Sequence, residues 1–153
     1  MADRIYEELR EGRSILSNTR GASMRPLLRE GKTQVLITPI TRELRIGDLP
    51  LVRLSPGHYR LHRLIAVRDG IYCTLGDNSI TPEQVDPATV LGLAARIYRG
   101  NRVISLEGPG YQWYTRFWLH TRSIRIPLLL LKNRLFGLAG KIRRRLSRHD
   151  PTQ

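Results

Sequence analysis

Apolar and polar positions alternate with one rhythm up to about residue 108 and with another beyond it. At the start, Ile5, Tyr6 and Leu9 fall on one face while Glu7, Glu8, Arg10 and Glu11 lie elsewhere. That spacing predicts a short amphipathic helix within residues 2–12, ended by Gly12. Strand-like runs follow. Ser14–Arg20 alternates weakly and leads into a turn at Gly21-Ala22-Ser23, after which Pro26–Glu30 has room for one helical turn. Thr33–Ile37 reads as a strand ended by Pro39, and Leu49–Leu54 as another, which Pro50 marks as an edge or a bulge. His58–Val67 and Ile71–Leu75 flank Asp69-Gly70, a hairpin signal. Ala88–Ile97 and Val103–Leu106 flank a second turn at Arg99-Gly100-Asn101-Arg102. Short strands, frequent turns and no βαβ alternation predict a mainly β body.

Glu107-Gly108-Pro109-Gly110 reads as a boundary, because Gly-Pro-Gly resists both helix and strand. Two parts follow from it, a β domain over residues 1–110 and a helical tail over 111–153. In the tail Trp113, Tyr114, Phe117 and Trp118 recur at helical spacing, and Pro127 predicts a break or kink. Leu128, Leu131, Leu135, Leu138, Ile142 and Leu146 then form a stripe among lysines and arginines.

Charge sharpens this division. The chain carries a formal net charge of +13 with an isoelectric point near 11.1. Residues 1–110 hold 16 Lys/Arg against 12 Asp/Glu, whereas residues 111–153 hold 10 against one, Asp150. The basicity belongs mostly to the tail, which calls for an acidic partner. The single cysteine, Cys73, excludes an internal disulfide and a cysteine-rich metal site. The charged start shows no signal peptide, and no stretch reaches the ~20 apolar residues of a spanning helix. The expected location is the cytoplasmic side, at or near the inner face of the membrane.

Gly21-Ala22-Ser23-Met24-Arg25-Pro26 offers a serine in a sharp turn, with conformational freedom before it and a fixed φ after it. A serine hydroxyl needs a base within hydrogen-bond reach to act as a nucleophile. Of the four histidines, His149 lies near the chain end, His120 in the basic tail and His58 in a turn. His62 remains, on a strand beside Leu61, Leu64 and Ile65.

Together these segments resemble the signal peptidase and LexA-like serine peptidases. Gly21-Ala22-Ser23-Met24-Arg25-Pro26-Leu27 is similar to their nucleophile box, and Gly47-Asp48-Leu49-Pro50-Leu51-Val52 to the Gly-Asp-hydrophobic strand after it. His62-Arg63-Leu64-Ile65 aligns with the base segment, in the form of the Ser-His branch of endoplasmic-reticulum and archaeal signal peptidases. Gly76-Asp77-Asn78 matches the Gly-Asp-Asn box, and Val90-Leu91-Gly92 a later strand entry. The resemblance spans roughly residues 18–98, with the boxes in the family's order. It implies a coiled β-sheet body, Ser23 as nucleophile, His62 as general base and Asp77 as the acid orienting it, with Glu83 or Asp86 as alternatives for the third role. It also implies an oxyanion site of backbone N–H groups that includes Ser23's own, Met24 packed beneath the nucleophile, and no metal or cofactor. Gly21 stands where some relatives carry a second hydroxyl.

The expected activity is therefore serine endopeptidase cleavage of a peptide or protein precursor. The chain shows neither the N-terminal anchor nor the membrane-facing apolar extension of signal peptidases, so a leader-removing peptidase at the inner face fits better than surface preprotein processing. It also lacks the lysine base and DNA-binding domain of LexA-like repressors. The alternative is a non-catalytic membrane- or protein-binding module on the same fold. For the tail, the leucine stripe either packs on the β body or lies on an anionic leaflet with Trp113, Trp118 and Phe136 near the headgroups. Nucleic acid is the less favoured partner, because no recognised binding motif accompanies the charge.

Overall fold

The structure, a computed structural model, describes residues 3–131. The expected stripe beyond Leu131, with Phe136, and the candidate His149 lie outside the described residues. The chain is mainly β, with a curled half-barrel sheet, one short N-terminal helix and C-terminal helices. The elements in order are α1 (Arg4–Arg10), β1 (Ile15–Asn18), β2 (Gln34–Thr38), β3 (Pro50–Ser55), β4 (His58–Leu61), β5 (Arg63–Arg68), β6 (Ile71–Leu75), β7 (Glu83–Val85), β8 (Val90–Arg99), β9 (Arg102–Ser105) and α2 (Pro109–His120).

The larger sheet runs β1-β2-β8-β3-β4, with β9 also paired to β8, and every pairing is antiparallel. Strands β1 and β4 are thus free edges at the two ends of this order, and β9, paired only with β8, is a further one. β5, β6 and β7 form a separate antiparallel sheet. The Asp69-Gly70 hairpin forms as its sequence predicts, both residues taking positive φ, 48° and 76°. Pro50 behaves differently from the edge reading. It opens β3, which lies between β8 and β4, and the pairing with β8 shifts register just after it, between Leu51 and Val52. A proline at the first position of a strand gives up little of the ladder, so it can enter the sheet interior there.

The core includes Leu9, Val35, Ile37, Leu49, Leu51 and Ile97. Leu9 brings α1 into this core, and Asp3 at the helix start fastens it. The Asp3 carboxylate meets the Arg53 guanidinium at 3.1 Å, accepts from the Gly57 N–H at 3.1 Å and binds the Tyr59 hydroxyl.

Residues Met1–His120 form one compact unit and Thr121–Gln153 a second. The division falls after α2 and not at Gly-Pro-Gly. Pro109 and Gly110 start α2 instead of separating it from the body, since a proline in the first turn lacks only an N–H that would have had no helical partner. The helical path stops at Thr121, not at Pro127. The Thr121 carbonyl accepts from the N–H groups of Ile124 and Arg125, and residues 122–131 are helical through the proline.

Candidate active site

Ser23 follows β1 in a tight turn closed by a bond from the Arg25 N–H to the Ala22 carbonyl, 3.2 Å, and a second turn follows with the Leu28 N–H on the Met24 carbonyl, 2.9 Å. His62 does not sit within a strand. It is the single residue between β4 and β5, where the chain crosses from one sheet to the other. Each residue therefore lies just past one free edge of the large sheet. Curling of the sheet brings the edges to a shared cavity of about 610 Å³, lined by Leu16 to Arg20 on one side and Tyr59 to His62 on the other. Ser23 Oγ and His62 Nε2 meet there at 3.1 Å.

The imidazole is buried. Burial lowers its pKa from the ordinary histidine value, and the nearby Arg60 charge adds to this, outweighing the opposing pull of Glu83. The ring is therefore held neutral and able to take a proton. Its Nδ1 faces the Glu83 carboxylate at 3.4 Å, near enough for the charge to act but too poorly aligned for a well-formed hydrogen bond. Glu83 is itself anchored by Arg60, 2.7 Å from its other oxygen.

Asp77 does not orient His62. Both its oxygens are bound by the guanidinium of Arg63, at 2.8 Å and 2.7 Å, and Tyr114 Oη donates to it at 3.3 Å. A buried carboxylate takes the strongest partner within reach, and a two-pronged guanidinium outcompetes a neutral imidazole. Of the other acids, Glu83 is the one behind the ring. Asp86 instead caps the short helical turn at Pro87–Thr89, accepting from the Ala88 N–H at 2.9 Å.

The Gly-Asp-Asn segment acts on the serine turn in another way. A Cβ on Gly76 would lie 2.7 Å from the Ser23 carbonyl oxygen and 3.1 Å from His62 Nε2, so only glycine fits there without moving both residues. The Asn78 N–H donates to the Ser23 carbonyl at 2.6 Å, and its side-chain amide donates to the Ala22 carbonyl at 3.3 Å. Met24 is buried beneath the turn, as expected, with its sulfur 3.5 Å from the Asp77 N–H. Among the described residues, no hydrogen bond engages the N–H of Ser23.

Arg63 is the residue that sequence reasoning missed. It lies next to His62 and is buried with Asp77, and its NH1 donates to the Gly47 carbonyl at 3.0 Å, Tyr111 Oη at 2.9 Å and Thr115 Oγ1 at 3.0 Å. Burial works against its charge, but the Asp77 carboxylate prevails and holds the guanidinium pKa above its ordinary value. Burial and the same carboxylate push the Tyr114 hydroxyl upward too. Gly47, at φ 103°, leaves room for Thr115, whose methyl would lie 2.5 Å from any Cβ there. The signal in the sequence was an arginine between apolar strand positions, in Leu61-His62-Arg63-Leu64. An arginine there must bring its counter-charge into the interior with it.

Among the described residues no group of His, Cys, Asp and Glu could hold a metal ion, and no helix is long and apolar enough to cross a membrane. Compared with known proteins, the chain matches no family model, and no curated protein is significantly similar to it.

Proposed function

We propose that the chain is a serine endopeptidase of the signal peptidase and LexA-like kind, cleaving a peptide or protein precursor with Ser23 as nucleophile and His62 as general base. The observation that carries this reading is the 3.1 Å approach of Ser23 Oγ to His62 Nε2 in the lining of a cavity of about 610 Å³. For Nε2 to accept the hydroxyl proton, the ring proton must reside on Nδ1, the nitrogen that faces Glu83. Glu83 favours that tautomer and offsets the positive charge that forms on the ring during attack. Ser23 Oγ adds to the scissile carbonyl as its proton passes to His62. The tetrahedral intermediate then collapses to an acyl-enzyme, and His62 returns the proton to the departing amine. Water, deprotonated by the same imidazole, releases the acyl product. The unengaged Ser23 N–H is the backbone donor for the oxyanion.

The cavity suits an extended chain. β1 and β4 each have one unpaired side, so a peptide laid between them can hydrogen-bond to backbone while its side chains meet a mixed lining that includes Val35, Ile37 and Leu51.

The decisive experiment incubates the chain with a peptide library and follows new amino termini by mass spectrometry. Ser23→Ala and His62→Ala are each expected to cut turnover by at least about a thousandfold, with the double variant no worse than either single one. A single variant that kept most of its activity would exclude the dyad. Absence of cleavage, together with no reaction of Ser23 toward a peptidyl phosphonate, would leave a non-catalytic binding module on this fold.

A further inference from the structure

We propose that two helical segments each dock on an anionic lipid bilayer through an exposed apolar face of its own, α2 in the first unit and residues 122–131 in the second. On α2, Tyr111 and Thr115 are buried against the body, while Trp113 is 70% exposed and stacks on Phe117 with centroids 5.8 Å apart and planes 7° from parallel. In the second unit, Ile124, Leu128 and Leu131 stand at four- and three-residue spacing, on one helical face, and are 68%, 59% and 54% exposed. Large apolar side chains at helical spacing in two successive helical segments are more than the scattered surface residues of an ordinary protein.

The occupant follows from charge. Residues 111–153 hold 10 Lys/Arg and a single acid, so whatever covers these faces must tolerate or carry negative charge. A second copy of the chain would bring the same positive charge against itself. Nucleic acid would satisfy the arginines and could stack on Trp113, but it has no use for exposed isoleucine and leucine. An anionic leaflet answers both features. Its hydrocarbon takes Ile124, Leu128 and Leu131, its headgroup layer suits the Trp113–Phe117 pair, and its phosphates face the basic side chains. Neither face includes Ser23 or His62, so the inference does not depend on the peptidase reading.

Binding is measured by sedimenting the full Ser23→Ala chain with vesicles of phosphatidylcholine alone or with 30% phosphatidylglycerol. The chain is expected to bind the mixed vesicles at least about tenfold more tightly, with affinity falling as salt rises. Ile124→Glu with Leu128→Glu is expected to weaken binding by at least about tenfold while leaving the near-ultraviolet circular dichroism of the body unchanged. Should that variant fail to fold, the dependence on lipid charge and on salt in the parent chain still decides the matter. Equal affinity for the two vesicle types would overturn the proposal. So would a dimer in sedimentation that the same substitutions dissolve, or salt-sensitive RNA binding in place of vesicle binding.

Discussion

At the scale of single residues, the candidate site depends on a histidine kept neutral and on the carboxylate behind it. His62 is buried and its pKa lies below the ordinary histidine value, so its working, unprotonated form persists to lower pH than in a solvated histidine. The acid limb of kcat/KM is expected below pH ~6.5, the unperturbed value. Glu83 pulls that pKa upward, so Glu83→Gln should shift the acid limb further down. It should also lower kcat/KM, by roughly tenfold to a hundredfold. That is smaller than the loss of a proton-transferring group, because Glu83 acts only through the ring. A pH–rate profile of the variant tests both effects, and an unmoved limb would count against Glu83 as the positioning residue. The same shift bears on stability. The unfolded chain binds a proton at this histidine more readily than the folded one, so stability falls as pH drops through the ordinary histidine range toward the lower folded pKa. Gly76 sets a steric limit on the same site. Gly76→Ala places a methyl against the Ser23 carbonyl and His62 Nε2, and is expected to reduce kcat/KM about a hundredfold by displacing the pair.

Among the elements, α2 is joined to the site through Arg63 and Asp77. The ion pair is buried, and three further acceptors on Gly47, Tyr111 and Thr115 complete the guanidinium's bonding. Its value is asymmetric. Removing one partner leaves a lone charge in the interior, so Asp77→Ala is expected to cost about 3–5 kcal/mol in urea unfolding. Replacing both, as Arg63→Met with Asp77→Leu, should recover much of that loss because no charge is then left without a counter-ion. If Asp77→Ala were neutral, the pair could not be what fastens α2. The role expected of Asp77 thus changes. Asp77 supports the architecture behind His62, Asn78 holds the serine turn by its carbonyls, and Glu83 takes the place behind the imidazole.

At the scale of the whole molecule, the buried apolar residues of the core among the described residues all fall between Leu9 and Tyr111, within the first unit. A chain ending at His120 is therefore expected to unfold cooperatively and to keep Ser23 reactive, while losing most of the affinity for anionic vesicles proposed for the full chain. Differential scanning calorimetry and phosphonate labelling of that fragment check the first part, and vesicle sedimentation the second.

The local pattern determined much of this arrangement. Alternation and turn residues foretold the hairpins at Asp69-Gly70 and Gly100-Asn101, and helical spacing foretold α1 and the aromatic face of α2. These depend on contacts between near neighbours, which a sequence records directly. The short strand β7 went unread, because Glu83-Gln84-Val85 has no apolar rhythm of its own and is held by pairing with β6. Two things were decided by tertiary structure alone. One was the choice of partner for each buried acid, because a carboxylate's partner is set by which charge it meets in the interior. The other was the meeting of Ser23 with His62, residues 39 apart in the chain, because only the curl of the sheet carries its β1 and β4 edges to one cavity.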